Sequence, residues 1–186
     1  MTILSINEFA SADRNSRIVL YHGTQAKFKS FDKSFVNSGY GRQEYGYGFY
    51  LTDDYETAKG YSRGGIIMKV SVPSKKYLSY KHISSTEKKF IANKFFKYYT
   101  TESECGRELY PDRSSRDAFW NMECKYILDA NTGGGVYGTI SSITGDDEET
   151  SAFLRSIGYI GIMHSDDGSW KTTNYLIFDG GDIEVL

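Results

Sequence analysis

Short apolar runs of β-strand character stand at both ends of this chain, and helical periodicity fills its middle. Arg17-Ile18-Val19-Leu20-Tyr21, Gly48-Phe49-Tyr50-Leu51 and the run from Ile66 to Pro73 read as strands. The third stops at Pro73, which has no N–H to give to a ladder. Tyr159–Met163 and Tyr175–Phe178 read as the closing strands. Between these groups, Ser84-Ser85-Thr86-Glu87 has the spacing of a capping box. It predicts a helix with Phe90, Ile91, Phe95 and Tyr98 on its apolar stripe. Ser114-Ser115-Arg116-Asp117 predicts a second helix, with Phe119, Trp120, Cys124, Ile127 and Leu128 on one side. Asp146-Asp147-Glu148-Glu149 predicts a third, ended by Gly158, and Asn131 to Gly135 reads as a loop. Strands grouped at the ends with helices between them predict an α+β fold. The 186 residues suit one domain, 1–186, with a helical insertion over about residues 84–155.

The remaining segments are less regular. Residues 1–16 are polar and predict a short helix or arm. Phe28, Phe31 and Phe35 mark an irregular stretch packed by aromatic rings, and Asn37 to Gly48 reads as a loop rich in Gly, Ser and Tyr.

The chemistry concentrates where the first strands end. One strand delivers Tyr21-His22-Gly23-Thr24 into a turn, and the next delivers Tyr50. A helix follows, capped by Thr52 or Asp53, with Tyr55, Ala58 and Tyr61 on nearly one face. Such residues suit a flat, charged heteroaromatic ring beside a ribose. Gly23 has no side chain to keep a ligand from the backbone. An imidazole can hydrogen-bond a sugar hydroxyl. Two tyrosines can flank a cationic ring, each gaining about 0.5–2 kcal/mol.

These segments resemble the NAD-binding core of the ADP-ribosyltransferases, in the His-Tyr-Glu branch that includes the diphtheria-toxin-like and poly(ADP-ribose) polymerase families. In that branch a strand ends in His-Gly-Ser/Thr, and a Gly-x-Tyr strand precedes a helix with a second Tyr. The spacing here is 61 − 50 = 11. The end of the chain is similar too: Gly158-Tyr159-Ile160-Gly161-Ile162, then Asn174-Tyr175-Leu176-Ile177-Phe178-Asp179, then Asp182-Ile183. The likeness covers roughly residues 18–73 and 150–186 and points to a small bacterial or phage type.

The resemblance implies split antiparallel half-sheets around an NAD cleft, with NAD as co-substrate and no metal. It implies that His22, Tyr50 and Asn174 are catalytic, and that His22, Gly23, Thr24, Tyr50 and Tyr61 hold the NAD. The Gly23 backbone would take the carboxamide, His22 a ribose hydroxyl, and the two tyrosines the nicotinamide ring. Two positions depart from the pattern. Asn174 stands where the family has Glu, so no negative charge and no base are supplied there. That favours transfer of single ADP-ribose units over chain elongation. Asp166 and Asp167, in the loop before the last strand, are the alternative carboxylates, against a hairpin-turn reading of Asp166-Asp167-Gly168. Ala58 stands where several members have a Ser that bonds the carboxamide.

The acceptor implied is a macromolecule, protein more than nucleic acid. Alternatives are an NAD or ADP-ribose-binding module, an NAD glycohydrolase, and an RNA or DNA acceptor. A toxin or effector of phage–bacterium conflict would bring a neutralising antitoxin or immunity protein as partner. The net charge of −2 exerts no global pull on nucleic acid or membrane. Locally, Lys75, Lys76, Lys81, Lys88, Lys89, Lys94 and Lys97 alternate with aromatic residues, a composition suited to phosphate contacts and base stacking or to a solvated helix face. No apolar run is long enough to span a bilayer, and the first residues lack a signal-peptide pattern. The expected location is the cytoplasm, or a target cytoplasm after delivery. Cys105 and Cys124 are too few for a disulfide framework or zinc site. His82 and His164 read as surface or packing residues.

Overall fold

Strand β1, Arg17–Thr24, does not turn at His22 but continues beside β3, Ile66–Pro73, from Arg17 opposite Pro73 to Thr24 opposite Ile66. The computed structural model describes residues 16–36, 45–164 and 172–186. The predicted arm at the N-terminus, most of the loop before Gly48, and Asp166 and Asp167 lie outside the described residues.

The other strands are β2 Phe49–Thr52, β4 Tyr77–Ser79, β5 Gly161–His164, β6 Asn174–Ile177 and β7 Glu184–Val185. They form a seven-stranded sheet in the order β4-β5-β6-β2-β1-β3-β7. The β4–β5 pair is parallel and the other pairs are antiparallel. The fold is α+β, as predicted, and the split takes a specific form. Strands β1 and β2 pair at Tyr21 with Thr52, the one register position joining them among the described residues. The half-sheets β4-β5-β6-β2 and β1-β3-β7 meet at that point.

Side chains alternate across a strand, so each face of the sheet gathers its own core. One face carries Leu20, Phe49, Leu51, Met68, Val70, Val72 and Ile177 beneath Phe31. The other carries Leu78, Ile162 and Leu176 and is covered by helices. Each fully buried side chain of this size contributes about 1.5–3 kcal/mol.

Helix α1, Tyr55–Ser62, follows β2, with Asp54 as its cap, accepting from the Thr57 N–H at 2.7 Å. Between β4 and β5 the chain forms α2 Ser85–Thr101, α3 Glu104–Leu109, α4 Arg113–Phe119, a π-helical turn at Trp120–Cys124, α5 Lys125–Asp129, α6 Gly133–Thr144 and α7 Asp147–Ser156. Ser84 caps α2 through the Glu87 N–H at 3.1 Å, as its spacing predicts. The buried stripe of α2 is Ile91, Ala92, Phe95 and Tyr99, one step round from the predicted one. Phe90 lies instead beneath the Lys76 and Lys94 ammonium groups.

The segment Asn131–Gly135, predicted as loop, runs into a helix at Gly133. Thr132 caps α6 through the Gly135 N–H at 3.0 Å. The glycines reflect crowding rather than a turn. A Cβ on Gly133 would fall 2.1 Å from the Ser79 carbonyl oxygen, and one on Gly134 would fall 2.5 Å from the Tyr80 ring.

Candidate functional site

His22 occupies the point at which the half-sheets part. It shares the face of Leu20, and its ring sits edge-on to Phe28 and Phe31, with centroids 5.9 and 5.1 Å away. Its Nδ1 is 2.9 Å from the Tyr50 carbonyl oxygen. A carbonyl only accepts, so Nδ1 carries the proton and Nε2 keeps its lone pair. Burial among the phenylalanines lowers the imidazole pKa, outweighing the opposite pull of the carbonyl bond. The residue is therefore a neutral imidazole with an acceptor at Nε2.

Gly23 is glycine because α1 lies against it. A Cβ there would fall 2.0 Å from the Ala58 carbonyl oxygen and 2.7 Å from the Ser62 nitrogen. A ligand can reach Gly23 along its backbone edge, where β1 has left β2, and not from the side its Cβ would occupy. Thr24 ends the strand and accepts from the Ala26 N–H at 3.3 Å. Ala58 is buried against β1, and Tyr61 lies on the same helix, 64% exposed.

Tyr50 leaves the sheet on the face opposite to His22, against the helical core. Its hydroxyl accepts from the Tyr45 N–H and donates to the Gly46 carbonyl, each at 3.0 Å. Burial pushes the phenol well above its ordinary pKa. The hydroxyl is therefore anchored, and the ring is the surface Tyr50 can offer.

Asn174 opens β6 opposite Thr52 on one side and His164 on the other. It is buried, and it shares a face with Tyr50, its diagonal neighbour across β2 and β6. Asp53 holds its approach in place: the Asp53 N–H donates to the Thr173 carbonyl at 3.1 Å, and the Thr173 N–H donates to the Asp53 carboxylate at 2.8 Å.

The structure thus brings Tyr50 and Asn174 onto one face, puts the His22 side chain on the opposite face at the split, and sets Gly23 under α1, whose Tyr61 is exposed. Sequence alone does not mark three residues of this neighbourhood as site residues: Asp53, which reads as a helix cap, Tyr45, in a segment that reads as a loop, and His164, which reads as a surface or packing residue. His164 is buried and stacked on Tyr45, with centroids 4.3 Å apart and planes at 28°. Tyr80 meets its ring edge-on at 4.9 Å. Alternation along Gly161-Ile162-Met163-His164 was the available signal, since it puts His164 on the face of the core residue Ile162. His82 is exposed, as predicted.

Other features lie apart from these residues. A hollow of about 240 Å³ is bordered by Lys33, Tyr47, Glu148, Ser151, Arg155 and Asp179, whose charged members pair with one another or with Asp182. In the lysine-rich stretch, Lys76 lies 4.0 Å over the Tyr159 ring and Lys88 donates to the Ala130 carbonyl at 2.7 Å. Among the described residues there is no group of three or more His, Cys, Asp or Glu able to hold a metal, and no helix long and apolar enough to cross a membrane.

A family model described as ADP-ribosyltransferase in polyvalent proteins matches residues 14–183. Among solved structures, the chain is similar to one titled "Crystal structure of an anti-CRISPR protein", at 16% identity and a TM-score of 0.38, over 93% of this chain and 98% of that one. No curated protein matches the chain.

Proposed function

Because this chain belongs to the ADP-ribosyltransferases of polyvalent proteins, we propose that it is an NAD-dependent mono-ADP-ribosyltransferase that modifies a macromolecule and releases nicotinamide. The observation that carries this reading is the contact of His22 Nδ1 with the Tyr50 carbonyl. It presents Nε2 as a fixed acceptor for a ribose hydroxyl, at the place where the half-sheets open. The backbone edge of Gly23 suits a carboxamide, and the rings of Tyr50 and Tyr61 suit the nicotinamide.

In the reaction, the bond between ribose C1′ and the nicotinamide nitrogen breaks, and its electron pair leaves with the ring. The sugar gains oxocarbenium character, and the acceptor bonds to C1′. The protein's part is to position the groups and to place polar atoms where charge develops. Asn174 orients the ribose by hydrogen bonds. A protein acceptor is favoured over RNA or DNA because part of the lysine-rich stretch is engaged in packing. An effector or toxin role in phage–bacterium conflict, with a neutralising partner, belongs to the same proposal.

One observation favours a second reading. Asn174 carries no charge, and a site without that charge can hold NAD or ADP-ribose without turning it over. Incubation of the protein with labelled NAD and a cell lysate separates these. Label on macromolecules supports the transferase, and protease or nuclease digestion then identifies the acceptor class. Free ADP-ribose alone would mean a glycohydrolase, and binding without turnover a binding module.

A further inference from the structure

We propose that a hollow among the helices between β4 and β5 is a docking pocket for an arginine side chain that a partner protein presents among apolar residues. The inference is independent of the transferase reading above, since it uses none of the residues placed at the NAD site.

The hollow, of about 490 Å³, lies where α2, the end of α3, the π-helical turn, α5 and α6 come together. Its volume is in the range of ligand-binding pockets. Tyr99, Tyr110 and Tyr126 give it an aromatic lining, and Leu109 and Ile143 an aliphatic one. Among the described residues that line it, Glu123 is the charged one.

The π-helical turn explains how a carboxylate comes to lie there. Phe119 and Cys124 are five residues apart and both buried, a spacing that a regular α-helix spreads to different sides and a wider turn brings together. With those two turned inward, Glu123 and Tyr126, three apart, are neighbours on the side of the hollow. Turns of this kind recur at functional sites.

The hydroxyls of Tyr99, Thr139 and Ser142 in the lining are already spent. The Tyr99 hydroxyl donates to the Ile143 carbonyl at 3.1 Å. Those of Thr139 and Ser142 donate within their own helix to the Gly135 and Gly138 carbonyls, at 2.9 and 2.8 Å. Glu123 is half-buried and, among the described residues, has no ion pair and no side-chain hydrogen bond. The Tyr110 phenol is pushed above its ordinary pKa first by burial and next by the charge of Glu123, so the carboxylate acts on this wall of the hollow.

A carboxylate drawn partly out of water beside aromatic rings calls for a cation. Arginine fits best. Its planar guanidinium stacks on a tyrosine ring, meets a carboxylate through two N–H bonds and is more weakly hydrated than an ammonium. Its aliphatic stem suits the Leu109 side of the hollow. The rim selects a protein. Leu109 and Tyr126 are 59% and 61% exposed and carry apolar surface out past the hollow. The neighbours of an arginine on a protein would cover that surface, whereas a small amine would leave it wet.

The test follows isotope-labelled protein by NMR during titration with a capped leucine-arginine-leucine peptide. The same peptide is used with lysine or with citrulline in the middle, the latter keeping the shape of arginine without its charge, and spermidine is a fourth probe. The arginine peptide should shift the amide signals of Tyr110, Glu123 and Tyr126 saturably. Citrulline in its place, or Glu123→Gln in the protein, should weaken binding about tenfold or more, the scale of a lost charge-assisted contact. Tyr126→Ala should weaken it about three- to tenfold, the scale of a lost cation–π contact, with the melt unchanged. No saturable shift, equal binding of the citrulline peptide, or binding untouched by a folded Glu123→Gln overturns the proposal. A lysine peptide that binds as tightly removes the arginine from it, and spermidine that binds as tightly removes the protein; either overturns it. If a variant fails to fold, the citrulline comparison on wild type still decides. None of these readouts involves NAD, so their failure leaves the transferase reading standing.

Discussion

Nδ1 of His22 lies 2.9 Å from the carbonyl oxygen of Tyr50, bridging the place where β1 leaves β2. A side chain does there what a ladder hydrogen bond does elsewhere in the sheet. The contact joins the half-sheets, selects the tautomer and turns Nε2 outward from the bond. His22 is thus structural through one nitrogen and available through the other. Its aromatic bed also means that the side chain cannot be removed without cost. His22→Ala should lower stability by about 1–3 kcal/mol, the cost of leaving a partner unpaired, as well as remove transfer. A variant that melts normally and transfers normally would show that the contact matters for neither.

The same contact sets a pH dependence. The folded pKa of His22 lies below its ordinary 6.5 because burial disfavours the cation. Above about that pH both folded and unfolded imidazoles are neutral, and the contribution to stability is fully present. Below it the unfolded chain binds the proton first, so stability is lost as pH falls toward the folded value. Wild type should therefore lose more thermal stability on acidification from pH 6.5 than His22→Gln does. Parallel melting curves for the two proteins across that range would refute the assignment.

Gly23→Ala should destabilise the protein by about 1–3 kcal/mol, the usual cost of overpacking. Its new methyl would meet the Ala58 carbonyl and the Ser62 nitrogen, both backbone atoms that cannot swing aside. For a chain of this size, that is about 2–12 °C in melting temperature. Since α1 also carries Tyr61, NAD affinity should fall with it. An unshifted melt would mean that the helix does not press on the strand as described.

Tyr61→Ala gives the opposite pattern. The side chain is 64% exposed, so the melt should hardly move. NAD binding should weaken by about 1–3 kcal/mol, the scale of a lost stacking contact. Calorimetry showing unchanged affinity would remove Tyr61 from the site.

Much of this arrangement was legible in the residues. Apolar runs and Pro73 located the first three strands, and Ser84 and Asp146 located helix starts, because each signal is local. The spacing of Tyr50 and Tyr61 bracketed the start of the helix that packs on Gly23. What stayed hidden depends on partners distant in the chain. Tyr77-Leu78-Ser79 is too short to announce a strand and becomes one by lying beside β5. Gly133 reads as a loop until the Ser79 carbonyl is placed against it. His164 reads as an ordinary packing residue until β5 is set beside β6. Asp53, read as a helix cap, instead joins Thr173, while Asp54 caps.

The last prediction concerns the missing carboxylate. Asn174 is buried on the face of Tyr50, and Asp53 fixes the residue before it. An amide so placed can orient a ribose hydroxyl without bearing charge. Asn174→Ala should then lower transfer by about 10²–10³-fold, the effect of losing one positioned polar group at a transition state. Asp53→Ala should lower it less, since it frees the Thr173 backbone but leaves the amide in place. Asp166→Asn and Asp167→Asn should have little effect if Asn174 performs this task. The order would reverse if one of those carboxylates stabilised the developing cation, because a nearby negative charge acts on a cation more strongly than an amide dipole does. Single-turnover transfer rates for the four variants distinguish the cases. A silent Asn174→Ala beside an inactive Asp166→Asn or Asp167→Asn would move the charge-stabilising role from the strand to the loop.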